Sequence, residues 1–263
     1  MKTQLKTLLL LAIVLCATIL YSRHSSEIVF NIRLVKPNFS FSRTTVPLSY
    51  SRTVEKKEAP IPYLSKEEER EASLIDTTRQ TILFFGDSML EGLCRRLIDY
   101  AVENGHELHT VIWYSSTTQI WAETDTLQYF INKYHPTFLM TCLGGNELSV
   151  RDLDRRNSFI KSIIKKMNRY PFVWIGPPNW KEDTGINEMI VTNVGESRYF
   201  ESKRLKYNRY KDGAHPTRES AAMWMDSIAV YLQNDALVPI EMTPPDKYYK
   251  KVPHTTVLQM VKE

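Results

Sequence analysis

The stretch Ile82-Leu83-Phe84-Phe85-Gly86-Asp87-Ser88-Met89-Leu90 decides how this chain is read. It is a continuous apolar run that stops at a glycine, a carboxylate and a hydroxyl. Apolar runs without alternation suit strands buried on both faces. A helical period follows at once, with Leu90, Leu93, Leu97 and Ile98 on one face. Working outward, residues 137–143 form a second such run, ending in Gly144-Gly145-Asn146-Glu147. Residues 172–175 form another, ending in Gly176-Pro177-Pro178-Asn179-Trp180. Far downstream, Asp212-Gly213-Ala214-His215 sets a carboxylate three residues before an imidazole.

The pattern predicts strands over 81–85, 108–113, 137–143 and 172–175. Helices are predicted over 89–104, 119–134, 152–169 and 217–232. Phe159, Ile160, Ile163, Ile164 and Met167 define the inner face of the third helix. Ala221, Trp224, Met225, Ile228 and Leu232 define that of the last. Alternating strands and helices imply a parallel sheet covered on both faces. Ligands bind such sheets beyond the carboxyl ends of the strands. Ser88, Asn146 and the loop carrying Trp180 all follow such ends.

The residue types fit acyl transfer. A hydroxyl nucleophile needs a base, the base needs an orienting acid, and the transition state needs oxyanion donors. Ser88 is the nucleophile candidate, although a serine between strand and helix is commonly an N-cap. Its own N–H, at the helix start, is an oxyanion candidate. His215 is the base candidate. Of the six histidines, His24, His106, His109, His135 and His254 have no acidic partner in a matching motif. Asp212 is the orienting acid, with an Asx turn before Gly213 as the plainer alternative.

Gly86-Asp87-Ser88, Gly144-Gly145-Asn146 and Asp212-x-x-His215, in that order over residues 80–234, resemble the SGNH (GDSL-like) hydrolases. The resemblance implies a flavodoxin-like three-layer α/β/α sandwich. It implies ester chemistry on acyl groups, often acetyl groups on carbohydrate, with no metal or cofactor. It implies that Asn146 donates to the oxyanion. Glu147 stands where the family often has aspartate. The family's second block usually supplies a glycine N–H as a further donor. Here that loop reads Tyr114-Ser115-Ser116-Thr117-Thr118-Gln119, without glycine. Thr118, then Thr117, is expected to take the place. Asp87 is expected to support the loop beside substrate, with Gly145 nearby. Trp180 is expected to stack on a sugar ring or pack at the rim.

Composition is that of a globular protein, 43% hydrophobic and 24% charged. A net charge of +4 suggests no dedicated nucleic-acid binder, and no zinc cluster, P-loop or dinucleotide fingerprint is present. Lys203, Arg204, Lys206, Arg209 and Lys211 crowd the approach to Asp212. They read as a solvated face or as an attraction for acidic glycan or lipid.

Lys2 and Lys6 precede an uncharged run over 7–21. As a helix it would be about 22 Å long, short of a ~30 Å hydrocarbon core. With no clear cleavage site, an uncleaved signal anchor over 1–21 is expected, and a cleaved signal peptide with secretion is the alternative. The domain would then be extracytoplasmic, periplasmic or at the cell surface. Residues 22–79 read as a stalk, with a short charged helix from Ser65. Residues 235–263, with Pro239, Pro244, Pro245 and Pro253, read as a tail. Cys94 and Cys142 are expected as buried free thiols, with a bridge as the alternative.

The expectation is therefore a membrane-tethered esterase acting on an acylated small molecule or glycan. An O-acyltransferase passing the acyl group to a glycan hydroxyl, beside a membrane-bound acyltransferase partner, is the first alternative. A degenerate glycan-binding module is the second.

Overall fold

The computed structural model describes residues 74–259, together with the backbone of two short strands, β1 (Ser26–Val29) and β2 (Ile32–Val35). These two pair antiparallel, with Ser26 opposite Val35. The anchor expected over 1–21 and the helix expected from Ser65 lie outside the described residues. Among the described residues, no helix is long and apolar enough to cross a membrane.

The main unit is built on β3 (Thr81–Gly86), β4 (Glu107–Trp113), β5 (Phe138–Cys142), β6 (Phe172–Ile175), β7 (Tyr199–Phe200) and β8 (His254–Leu258). They stand in the order β8-β4-β3-β5-β6-β7, and every pair is parallel. The helices are α1 (Leu90–Glu103), α2 (Thr118–Glu123), α3 (Thr126–Tyr134), α4 (Leu153–Met167), α5 (Ile186–Val194) and α6 (Arg218–Asn234).

Period-two side chains make two cores. Ile82 and Phe84 join α1 and α6 on one face, and Leu83 and Phe85 join α2, α3, α4 and α5 on the other. All four are fully buried, which explains the unbroken apolar run. Leu90, Leu93 and Leu97 are likewise fully buried. Each such side chain stabilises by about 1.5–3 kcal/mol. The arrangement is a three-layer α/β/α sandwich.

The strand order reverses around β3, since β4 flanks it on one side and β5 on the other. That is the switch point where such sheets bind ligands. The ends of β3 and β5 approach closely there. A Cβ on Gly86 would lie 2.2 Å from the Cys142 carbonyl oxygen, so only glycine fits.

Three sequence expectations change. The helix expected over 119–134 is two helices. The break falls at Thr124-Asp125, where the Thr124 hydroxyl donates back to the Ile120 carbonyl. The Lys166 ammonium donates to the Trp121, Ala122 and Thr124 carbonyls at 2.7–3.0 Å, satisfying the end of α2. Residues 235–259 are part of the domain and not a tail. Ala236, Ile240 and Met242 are buried in the α1/α6 core, and β8 extends the sheet beside β4. Four prolines hide that short strand from periodicity. The domain also begins before residue 80, because Asp76 pairs with Ile240. Cys94 and Cys142 are buried free thiols, and burial pushes Cys94 up to about 12.

Candidate active site

Ser88 sits in the turn between β3 and α1, half-buried. Its hydroxyl does not cap the helix. No side chain caps the helix by a hydrogen bond; Asp87 Oδ1 accepts the N–H of Met89, the residue before its first turn, at 3.0 Å. The Ser88 hydroxyl is left to face His215, with Oγ 2.9 Å from Nε2.

His215 and Asp212 occupy the tip of a loop closed by backbone hydrogen bonds. Thr217 N–H donates to the Asn208 carbonyl at 2.8 Å, and Tyr210 N–H to the His215 carbonyl at 2.9 Å. Gly213 takes a left-handed φ of +71° at the tip. Asp212 Oδ1 accepts the N–H groups of Ala214 and His215 at 2.9 and 3.0 Å. Its Oδ2 lies 2.8 Å from His215 Nδ1. The His215 N–H bond first, then the ring contact and the Ala214 N–H, hold the Asp212 carboxyl down to about 2. An ionised carboxylate only accepts, so Nδ1 carries the proton. In the neutral ring Nε2 is then an acceptor, aimed at the Ser88 hydroxyl. The Asx turn and the orienting carboxylate are thus one group serving both purposes.

These three residues open into a cleft of about 450 Å³. Met89, Gly92, Ala221 and Trp224 lie in its wall, with Tyr114, Ser115, Tyr210 and Arg218 among its polar members.

The donor loop departs from expectation. Thr118 is fully buried, and its N–H and hydroxyl each contact a Glu147 carboxylate oxygen at 2.7 Å. Its N–H is therefore not available to a substrate oxygen. Thr117, half-buried and extended at φ −124°, records no partner for its N–H among the described residues. The positive φ in this loop belongs to Ser115, at +59°, and Ser115 lines the cleft. Asn146 is exposed, and its Nδ2 donates to the Ser116 carbonyl at 2.9 Å. One further N–H remains on that amide.

Asp87 and Gly145 are buried, and neither they nor Thr117, Asn146 or Trp180 are among the residues that line the cleft. Burial pushes Asp87 up to about 7, against the Met89 N–H bond and His215, which lower it. The Gly145 carbonyl accepts Trp180 Nε1–H at 3.1 Å. Trp180 is 37% exposed, with Lys181 Nζ 4.6 Å from its ring centroid.

The partners of Glu147, namely Thr118 and Arg156, are not readable from local sequence. Glu147 is 1% exposed, with Arg156 at 3.3 Å, and burial raises its carboxyl above the usual range. The basic cluster before Asp212 is partly spent, since Lys203 and Arg204 pair with Glu201. Among the described residues, no group of three or more metal-ligating side chains is found.

No family model matches this sequence, and no curated protein is similar to it at a significant level. Similar solved structures include a putative lipolytic protein of the G-D-S-L family from Desulfitobacterium hafniense DCB-2. That likeness has 15% identity over 57% of this chain and 98% of that one, with a TM-score of 0.42. The acetyl xylan esterase AlAXEase shows 16% identity over 56% of this chain and 97% of that one, at 0.44. The periplasmic domain of a lipopolysaccharide acetyltransferase from Salmonella ser. Paratyphi A shows 15% over 64% and 88%, at 0.41.

Proposed function

We propose that this chain is a serine esterase that removes acyl groups, acetyl groups foremost, from carbohydrate. The observation that carries the reading is the Ser88–His215–Asp212 chain of contacts at 2.9 and 2.8 Å, opening into a cleft. A degenerate binding module has no use for that alignment.

Ser88 Oγ attacks the ester carbonyl while its proton passes to His215 Nε2. The imidazolium is stabilised by Asp212. The Ser88 N–H and the Asn146 amide hold the oxyanion. Of the two threonines expected to help, Thr117 keeps an uncommitted N–H for that purpose. As the tetrahedral intermediate collapses, the ester oxygen leaves with the proton from Nε2. Water, deprotonated by His215, then attacks the acyl-Ser88; as that intermediate collapses His215 returns the proton to Ser88 Oγ and the carboxylic acid departs. Trp180, anchored through Nε1, offers a ring face to a sugar. No cofactor enters these steps.

Lys2, Lys6 and the uncharged run over 7–21 favour an extracytoplasmic enzyme tethered by its N-terminus. The full chain should partition with membranes, and a chain beginning at residue 22 should not.

The deciding experiment incubates the full chain with an acetylated glycan and an active-ester donor and follows acetyl by mass spectrometry. Release to water supports the esterase. Transfer to a sugar hydroxyl replaces it with an O-acyltransferase. Ser88→Ala should abolish turnover and labelling by a serine-directed phosphonate. Turnover that survives Ser88→Ala overturns the reading.

A further inference from the structure

Arg209 lies three residues before Asp212, half-buried, and forms no ion pair among the described residues. Its guanidinium is spent on backbone. Nη1 donates to the Ala214 carbonyl, and Nη2 donates to the Pro178 and Asn179 carbonyls at 2.9 and 2.8 Å. Tyr207 lies beneath, its ring centroid 5.2 Å from the guanidinium carbon. Ala214 belongs to the loop that carries His215, and Pro178 and Asn179 belong to the loop after β6.

That second loop is itself fixed. The Asn179 side-chain oxygen accepts Asn187 Nδ2–H at 2.9 Å, from the first turn of α5. The next residue, Trp180, donates to the Gly145 carbonyl, immediately before Asn146. The loop of His215 is tied elsewhere at its base, where the Asn208 N–H donates to the Ser220 hydroxyl at 2.9 Å, and at its tip through the contact of His215 with Ser88. Its Asp212 and His215 side chains are 49% and 38% exposed. Outside its own hairpin, the Arg209 side chain provides its contact with the loop after β6. A planar fork can bridge carbonyls on two segments at once, whereas a lysine presents its donors from a single point.

We propose that Arg209 is a positioning residue: it clamps the His215 loop to the loop after β6 and so holds Nε2 on the Ser88 hydroxyl. Its kinetic consequence rests on the esterase reading, and its geometric consequence does not. Displacement of a reacting group by about 1 Å can cost roughly 10²-fold in rate. The clamp touches no substrate in this account, so its loss acts on kcat.

The test uses Arg209→Ala and Arg209→Lys in the full chain, with a small activated acetyl ester. In Arg209→Ala, kcat should fall by roughly 10- to 100-fold with KM nearly unchanged. Added guanidinium should restore part of it, and Arg209→Lys should fall between. A kcat within about twofold of wild type in Arg209→Ala, or a loss carried by KM alone, overturns the proposal. If wild type neither turns over ester nor labels at Ser88, the esterase reading has failed, and the clamp is judged by NMR. The His215 Nδ1–H resonance should be protected from solvent exchange in wild type and lost in Arg209→Ala while core methyl resonances stay in place. Its persistence overturns the proposal. Should Arg209→Ala not fold, Arg209→Lys is read by the same two measurements, and an unchanged kcat and resonance overturn it.

Discussion

Thr118 gives both its backbone N–H and its hydroxyl to one buried carboxylate, that of Glu147, each at 2.7 Å. Arg156 approaches the same carboxylate at 3.3 Å. The loop after β4 is thus tied to the loop after β5 from inside the protein. A buried carboxylate is tolerable only with such partners. Where a family resemblance leads one to look for an oxyanion donor, this chain has a structural staple.

Thr118→Gly tests the staple. The N–H bond survives and the hydroxyl bond does not. Loss of a hydrogen bond to a charged buried group costs about 1.5–3 kcal/mol. Unfolding in urea should show a loss of that order, and kcat on an activated ester should not rise. A rise in kcat at unchanged stability would mean the Thr118 N–H serves substrate after all.

Asp212 yields a prediction in pH. Its carboxyl is held down to about 2, so it stays ionised from pH 4 upward. The acid limb of the activity profile above pH 4 therefore belongs to another group. Asp212→Asn should lower kcat by roughly 10²–10⁴ by losing the correct imidazole tautomer. Steady-state rates from pH 4 to 9 check both points. A wild-type acid limb that vanishes in Asp212→Asn while kcat at pH 8 is kept counts against the assignment.

Asp87 yields a prediction in stability. Its folded-state value, about 7, lies above the ordinary 3.8. Between those values the folded chain binds more protons than the unfolded one, so stability falls as pH rises through this window. The contribution is fully present below about pH 4 and lost above about pH 7. Asp87→Asn keeps an acceptor for the Met89 N–H and removes the charge. Its stability should gain on wild type from pH 5 to pH 8. Urea midpoints at the two pH values decide it, and parallel changes in both proteins would refute the shift.

Much of this was legible in the chain because burial and period wrote it there. Ile82 to Phe85 are buried on both faces, so they read as an unbroken apolar run. Leu90, Leu93 and Leu97 repeat at helical spacing because α1 has one core face. The proximity of Asp212 to His215 was readable because three residues of turn suffice to join them. What was not legible is long-range. Glu147 and Thr118 are 29 residues apart, and neither shows its partner locally. Ser115 takes the left-handed φ that a glycine would have signalled. The strand β8 sits beyond four prolines and gains its place only by pairing with β4.

Asn146 is tied to the Ser116 carbonyl through one N–H of its amide, at 2.9 Å. The other N–H has no partner among the described residues, and the proposed function assigns it to a substrate oxygen. The two uses separate by substitution. Asn146→Ala removes both, and a side-chain oxyanion donor is worth roughly 10²–10³ in kcat. Asn146→Asp also removes both but adds a carboxylate where negative charge develops. If the amide holds the oxyanion, Asn146→Asp should be slower than Asn146→Ala, since a like charge opposes the transition state and spares KM. Were the amide only a tie to Ser116, the two variants would lose equally. Steady-state kinetics on one acetyl ester, with kcat and KM resolved, distinguish the cases. Equal values for the two variants would remove Asn146 from the oxyanion site and leave it as the link that shapes the loop after β4.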